Sequence, residues 1–313
     1  MSFGPQFFGL TGVVVGLLVP ATGIGWALER RVLSPSAQAT ISNLNTRIRA
    51  WWVMCAIFIA SLLTGGAATV LLFGATSFLA LREFLTLAPT RHGDYASLVC
   101  AFFMVTPLQY ALIGMDSHWL FSTLIPLYTL LVIPLLAAMT GEYEDYMRRV
   151  ASIQWGLAIC VYGLSHAPAL LALKIPGYEG QNSRLVFFLI LVVEISDVLQ
   201  YVWGKLYGKT KLAPRISPNK TWEGALGGVG SATVIGACVW WATPFTPLQA
   251  AVMSLVIAFA GLAGGLVMSA IKRELGVKDF GRLIAGHGGV MDRMDSLCFA
   301  APVFYCLTLR LLT

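Results

Sequence analysis

Long apolar stretches restrict this chain more than any other feature. They recur ten times in 313 residues, and most charged groups fall in the short segments between them. About 20 apolar residues wound as a helix cross the hydrocarbon core of a bilayer. Only helices and closed barrels satisfy their own backbone hydrogen bonds there. Spans are expected at about 6–28, 50–64, 66–87, 96–114, 118–139, 151–172, 185–207, 224–243, 248–270 and 295–312. The second is short and runs into the third through Gly65 and Gly66, so this pair has a re-entrant hairpin as its alternative. Charged residues make up 12% of the chain, against roughly 25% in a soluble domain. The expected fold class is therefore all-α, a polytopic integral membrane helical bundle of about ten transmembrane helices.

Loop charges predict the orientation, because cytoplasmic loops carry the excess of Lys and Arg. With both termini outside, Lys174, Arg184 and Arg310 fall on the outer side and the other eighteen of the 21 basic residues fall inside. The net charge of +6 then reflects topology and attracts anionic membrane lipids. It does not point to nucleic acid, since no soluble basic domain carries it. Residues 1–28 lack a basic leader, so the first span is expected to be uncleaved. The six cysteines all lie in apolar segments without a C-x-x-C pair and read as small buried hydrophobes. His166, inside a span, reads as a packing or hydrogen-bonding residue. A bacterial inner membrane is the expected location.

Two regions follow from where the polar groups lie. Residues 1–172 form N-terminal transmembrane helices with short loops. Their landmarks are Arg47-Ile48-Arg49-Ala50-Trp51-Trp52, Leu81-Arg82-Glu83-Phe84 and the acidic Glu142-Tyr143-Glu144-Asp145. The first reads as an interfacial anchor and the last as a solvated loop. Residues 173–313 form the C-terminal catalytic transmembrane region, with an active site expected on the cytoplasmic face. In it Lys272, Arg273, Lys278, Arg282 and Arg293 interleave with Glu274, Asp279, Asp292 and Asp295. Lysine and arginine neutralise phosphate oxygens, and aspartate holds hard cations through oxygen. Asp292 and Asp295, at i and i+3, are expected on one helical face. Two carboxylates near lipid call for a compensating cation. Gly288 and Gly289 leave room for backbone to approach a phosphate, and His287 beside them is a candidate for phosphate contact or proton handling.

Two further constellations share that face. The segment 216–224, Ile-Ser-Pro-Asn-Lys-Thr-Trp-Glu-Gly, offers Ser217, Lys220, Thr221 and Glu223. Helix capping by Thr221 or Asn219 is the plainer reading of part of it. Lys205, Lys209 and Lys211 precede it and can steer a triphosphate or an anionic headgroup. Glu194 and Asp197 lie i, i+3 in an otherwise apolar span, where ionisable groups default to functional or paired. Gly227, Gly228, Gly230, Gly261, Gly264 and Gly265 have the spacing of close helix packing.

The run S-x-x-K-R-x4-K-D-x7-H-G-G-x2-D-R-x-D over residues 269–295 closely resembles the signature of the phosphatidate cytidylyltransferases, or CDP-diacylglycerol synthases. The 216–224 segment resembles the family's S-P-x-K-T-x-E-G loop. Asp197 with Gly204-Lys205 resembles its N-D-x-x-A-Y-x-x-G-K segment, with Ser196 for the usual Asn and Gln200 for the usual Ala. Ala285 replaces the usual proline or glycine two residues before His287. The resemblance implies that CTP reacts with phosphatidate held in the bilayer, giving CDP-diacylglycerol and pyrophosphate in phospholipid biosynthesis. It implies Mg2+ on Asp279, Asp292, Asp295 and Asp197, with a second cation and a homodimer left open. Lys272, Arg273, Lys278, His287 and Arg293 would be catalytic. Ser217, Lys220, Thr221, Glu223, Gly288, Gly289 and Lys205 would contact substrate. The alternatives are a cytidylyltransferase or kinase-like enzyme on another lipid phosphate or alcohol, and a proton-coupled transporter or lipid flippase. A carrier is expected to group polar residues at midplane in two related halves. Here they crowd one face, and no repeat is visible.

Overall fold

A computed structural model describes residues 5–31, 35–115, 117–284, 286 and 288–313. Its helices are α1 (Pro5–Arg31), α2 (Pro35–Thr64), α3 (Gly66–Leu87), α4 (His92–Gly114), α5 (His118–Ala138), α6 (Tyr146–Ala172), α7 (Ser183–Tyr207), α8 (Trp222–Cys238), α9 (Pro247–Glu274), α10 (Met291–Met294) and α11 (Leu297–Leu312). Among the described residues eight are long and apolar enough to cross a membrane, namely α1 to α7 and α9. The shorter α8, of 17 residues, and α11, of 16, occupy the remaining two expected positions. The protein is a polytopic helical bundle.

The second span is longer than expected. Its apolar window runs Ile41–Thr64, 24 residues, and Gly65 at φ 129 turns the chain directly into α3. The pair is thus two full-length helices and not a re-entrant hairpin. Arg47 and Arg49 shortened the apparent run. They stay exposed on the first turns of α2, where long basic side chains reach out of the apolar layer. Trp52 Nε1 donates to Thr22 Oγ1 at 3.0 Å and Asn45 Nδ2 to Glu29 Oε2 at 2.8 Å, which clamps α2 to α1.

The core lies where α3, α6, α7 and α11 meet, around Leu81, Leu157, Leu164, Phe188 and Phe304, all buried. His166 packs there among Phe121, Tyr162 and Tyr305, with Nδ1 2.7 Å from the Tyr162 carbonyl, the structural role expected of it. The outside is apolar as well: Leu71, Phe103, Leu131 and Phe259 are more than half exposed, as lipid-facing side chains should be. Cys238 and Cys306 are also exposed on this outer face, whereas Cys100, Cys160 and Cys298 are buried and Cys55 is intermediate. The expectation of six interior cysteines therefore fails for two. A thiol facing lipid is as well accommodated as one in the core.

Glycine sets the α7–α8 crossing. A Cβ on Gly227 would stand 2.6 Å from Trp203 Cγ, and one on Gly224 would stand 2.8 Å from the Gln200 carbonyl. Gly230, expected in the same interface, faces open space instead. Between α7 and α8 the basic loop folds into a two-stranded hairpin, β1 (Lys211–Ala213) and β2 (Ser217–Thr221). Glu223 closes it by accepting from the amides of Lys209 and Thr210 at 3.1 Å. Its own amide and those two hold its carboxyl down to about 2.

The 142–145 loop is latched in place and not freely solvated. Arg91 pairs with Glu144 and, at 3.3 Å, with Asp145. Beneath it, Arg149 Nε lies 3.1 Å from Asp94 Oδ2, both side chains essentially inaccessible to solvent, and the guanidinium donates to the carbonyls of Glu142 and Glu144. The substitution Arg149→Met leaves Asp94 buried without its counter-charge. That should cost about 3–5 kcal/mol, read as a lowered unfolding midpoint of the purified protein in detergent. Adding Asp94→Asn to Arg149→Met should recover part of the loss.

Candidate active site

The end of the bundle that holds this latch also gathers the C-termini of α3, α7 and α9, the β-hairpin and the 275–296 segment. Arg273, near the end of α9, ties two of these together. Its Nε donates to the Ile216 carbonyl at 3.1 Å and its guanidinium to the Val277 carbonyl at 3.3 Å. Asp292 organises the loop behind it. One oxygen faces Lys272 Nζ at 3.1 Å, and the other accepts from Phe280 N at 2.8 Å and Gly289 N at 2.9 Å. Three charge-assisted bonds on a buried carboxylate fix the course of the signature loop.

The structure sorts the four expected metal ligands into two pairs. Asp279 and Asp292 flank Gly288, whose φ of 84 favours glycine. A Cβ there would lie 2.9 Å from Asp292 Oδ2 and 3.4 Å from Asp279 Cβ. Asp197 and Asp295 form the second pair, with Glu194, Lys220 and Arg293 in electrostatic reach. Asp292 and Asp295, expected on one helical face, thus have different partners. α10 is one turn long, and α11 begins afresh at Leu297. Ser296, between them, donates from Oγ to Asp197 Oδ2 at 2.7 Å. Lys272 bridges the pairs, bonded to Asp292 and interacting with Asp295.

Of the hairpin residues, Lys220 alone is seen to reach these acids. Burial pushes its ammonium below the usual lysine value, and Asp197 and Asp295 oppose that. Gly265 on α9 makes the space: a Cβ there would stand 2.7 Å from Lys220 Nζ. Gly264 does the same for the Asp295 carbonyl, at 2.7 Å. The α9 glycines therefore seat the site as well as packing helices. Thr221 caps α8, its hydroxyl accepting from Gly224 N at 3.1 Å, and Ser217 opens β2. Lys205 lies over the Tyr201 ring at 5.9 Å, and Lys278 is exposed at the rim. His287 and Ala285 lie outside the described residues.

Gly288 and Gly289, expected to let backbone approach a phosphate, lie beside carboxylates, as does Gly281. Gly281 and Gly289 give space to the side chain of Glu83, with Cβ positions 2.6 and 2.7 Å from its Cδ, and Gly288 gives space to Asp292. Glu83 from α3 and Arg47 from α2, whose Cγ lies 3.4 Å from a Cβ built on Gly286, are the residues that sequence reasoning missed. Each sits beside a second charge, Arg82 or Arg49, in an apolar helix of the N-terminal half, and no spacing ties either to the signature.

Among the described residues no three of His, Cys, Asp or Glu gather tightly enough to hold a metal ion by themselves. The Asp197–Asp295 pair nevertheless suits Mg2+, which commonly takes one or two carboxylates and completes its shell with water and substrate phosphate.

The sequence profile of the cytidylyltransferase family matches residues 45–311. The chain belongs to that family. This cytidylyltransferase is 39% identical over 269 residues to the uncharacterized protein YnbB of Escherichia coli, covering 84% of this chain and 86% of that one. It is 42% identical over 172 residues to the phosphatidate cytidylyltransferase of Mycobacterium leprae, covering 54% and 53%. The Helicobacter pylori enzyme of the same name is 35% identical over 191 residues, covering 58% and 71%. The cytidylyltransferase is thus a membrane-embedded nucleotidyltransferase.

The two departures in α7 form one unit. Gln200 Nε2 donates to Ser196 Oγ at 3.0 Å and lies 3.5 Å from Asp197 Oδ1. A carboxamide that would stand at 196 in the family pattern is supplied here from 200, one turn later. Two outcomes are expected in this cytidylyltransferase. Gln200→Ala should slow transfer about tenfold, and adding Ser196→Asn should restore most of it, measured as pyrophosphate release. Gly265→Ala should displace the Lys220 ammonium and slow transfer about 100-fold, with the unfolding midpoint nearly unchanged.

Proposed function

We propose that this chain is a phosphatidate cytidylyltransferase, converting CTP and phosphatidate to CDP-diacylglycerol and pyrophosphate. The observation that carries the reading is the convergence of Lys220, Lys272 and Arg293 on the Asp197–Asp295 pair. It lies at the bundle end where phospholipid headgroups would meet a soluble nucleotide. Lys220, Lys272 and Arg293 offer cations to phosphate, and the carboxylates keep a place for Mg2+. When bound, that ion would neutralise the triphosphate and withdraw charge from the leaving group.

A phosphate oxygen of phosphatidate attacks the α-phosphorus of CTP. The new P–O bond forms as the bond to the bridging β-oxygen breaks, and pyrophosphate carries away that electron pair. The nucleophile is already an anion, so no strong base is required. Lys220, Lys272 and Arg293 bind and orient phosphates and offset the charge that gathers on the leaving oxygens. Asp292 keeps Lys272 directed inward, and the glycines at 264 and 265 keep Lys220 and Asp295 at close quarters. The charge asymmetry of the loops supports a cytoplasmic site with both termini on the opposite side of a bacterial inner membrane. Within this reading Lys278 and Lys205 are rim contacts for the nucleotide or the headgroup, and His287 keeps its expected part in phosphate contact or proton handling.

Another lipid phosphate as acceptor is the second reading. YnbB, an uncharacterized protein, matches over 84% of this chain, whereas those named as phosphatidate enzymes from Mycobacterium leprae and Helicobacter pylori match over 54% and 58% of it. Detergent-purified protein given CTP, Mg2+ and phosphatidate should release pyrophosphate in a lipid-dependent manner. Asp295→Asn and Lys220→Met should each lower the rate at least about 100-fold. Release that requires an isoprenoid phosphate or another lipid phosphate would favour the second reading. No nucleotide consumption with any lipid phosphate would refute both.

A further inference from the structure

Glu83 stands at the last full turn of α3, in the half of the chain that holds none of the signature residues. Its carboxylate nevertheless lies within the 280–292 segment. Met291 N donates to Glu83 Oε2 at 2.9 Å, and the missing side chains of Gly281 and Gly289 leave the space it fills. The next residue, Phe84, stacks on Phe280 with ring centroids 5.8 Å apart, and Lys272 Nζ lies over the Phe280 ring, 5.5 Å from its centroid. One turn of α3 therefore delivers both a carboxylate and an aromatic face to the signature loop.

The loop is braced from two sides. Asp292 accepts from Phe280 and Gly289, and Glu83 accepts from Met291, the first residue of α10. A helix of four residues cannot fix its own direction, because a single turn is unstable by itself. Its direction follows from what it bonds to outside itself, through the Asp292 carboxylate and through its first amide. α10 carries Arg293 and leads directly to Asp295, so a small rotation of that turn would move both away from Asp197 and Lys220.

We infer that Glu83 is a positioning residue for nucleotidyl transfer: it anchors the first turn of α10 so that Arg293 and Asp295 face Lys220 and Asp197. The inference rests on reading that cluster as the place of transfer. Glu83 itself touches neither nucleotide nor lipid in this arrangement. Its oxygen acts as an acceptor and moves no proton.

The test compares full-length Glu83→Ala and Glu83→Gln proteins in lipid nanodiscs by two measurements. The first is steady-state transfer with CTP and phosphatidate. Glu83→Ala should lower kcat about 100-fold with KM for CTP within about threefold, since alignment is lost and binding is not. Glu83→Gln keeps an acceptor oxygen and should recover to within about tenfold of the parent, with an unchanged pH profile. The second measurement is hydrogen exchange of the backbone amides. Exchange in 280–295 should quicken in Glu83→Ala and return near the parent rate in Glu83→Gln, while the other helices stay protected. Parental kcat in Glu83→Ala would overturn the inference, as would unchanged exchange in 280–295 or faster exchange spread over the whole bundle. If the parent protein turns over no CTP with phosphatidate, the functional reading falls on that result. The exchange comparison still decides whether Glu83 holds the loop.

Discussion

Everything at the working end of this bundle depends on balancing carboxylates against cations where water is scarce. An unpaired charge at a membrane edge is expensive, so each acid there must find a cation, an amide or both. Asp292 does this with Lys272 and two loop amides, and in doing so fixes the path of the signature segment. Asp197 and Asp295 share Lys220 and Arg293 as neighbours, and Asp295 has Lys272 as well. That second group is less fully bonded than the first. A buried Arg293 nitrogen finds no hydrogen-bond partner among the described residues.

The bundle was legible in the sequence because hydropathy is a long-range average. The apolar helices lie where the runs predicted, and Lys220, Lys272, Arg293, Asp197, Asp292 and Asp295 do meet. What the sequence hid depends on individual neighbours. Nothing in Glu142-Tyr143-Glu144-Asp145 reveals its latch, since Arg91 comes 53 residues before Glu144 and Arg149 reaches back from the helix that follows. Nothing in Thr221 or Glu223 tells a cap and a hairpin tie from a substrate contact until their acceptor oxygens are seen to be occupied. The break between α10 and α11 was equally invisible, for the i, i+3 spacing of Asp292 and Asp295 is that of one continuous helix.

Glycine illustrates the same point. Small residues at helical spacing predict close packing, and Gly224 and Gly227 do let α7 and α8 meet. On α9 the same spacing makes room for the Lys220 ammonium and for the chain at Asp295. Packing and site assembly are one geometric fact there. The Ser196–Gln200 pair shows the complement: two departures from a family pattern that look like losses one at a time become a displaced amide when the turn of helix between them is considered.

The Glu83–Met291 bond joins residues 208 positions apart, and that separation has a consequence for biogenesis. At roughly 5–20 residues per second, a ribosome needs about 10–40 s to travel between them. Throughout that interval the carboxylate at the end of α3 has no partner and must rest among headgroups and water. The nascent chain therefore inserts its first helices with an unfinished joint, and the phosphate-handling end locks only once the last pair of helices arrives. A polypeptide interrupted before that moment leaves in the membrane a helical stub with no assembled centre, unable to consume nucleotide.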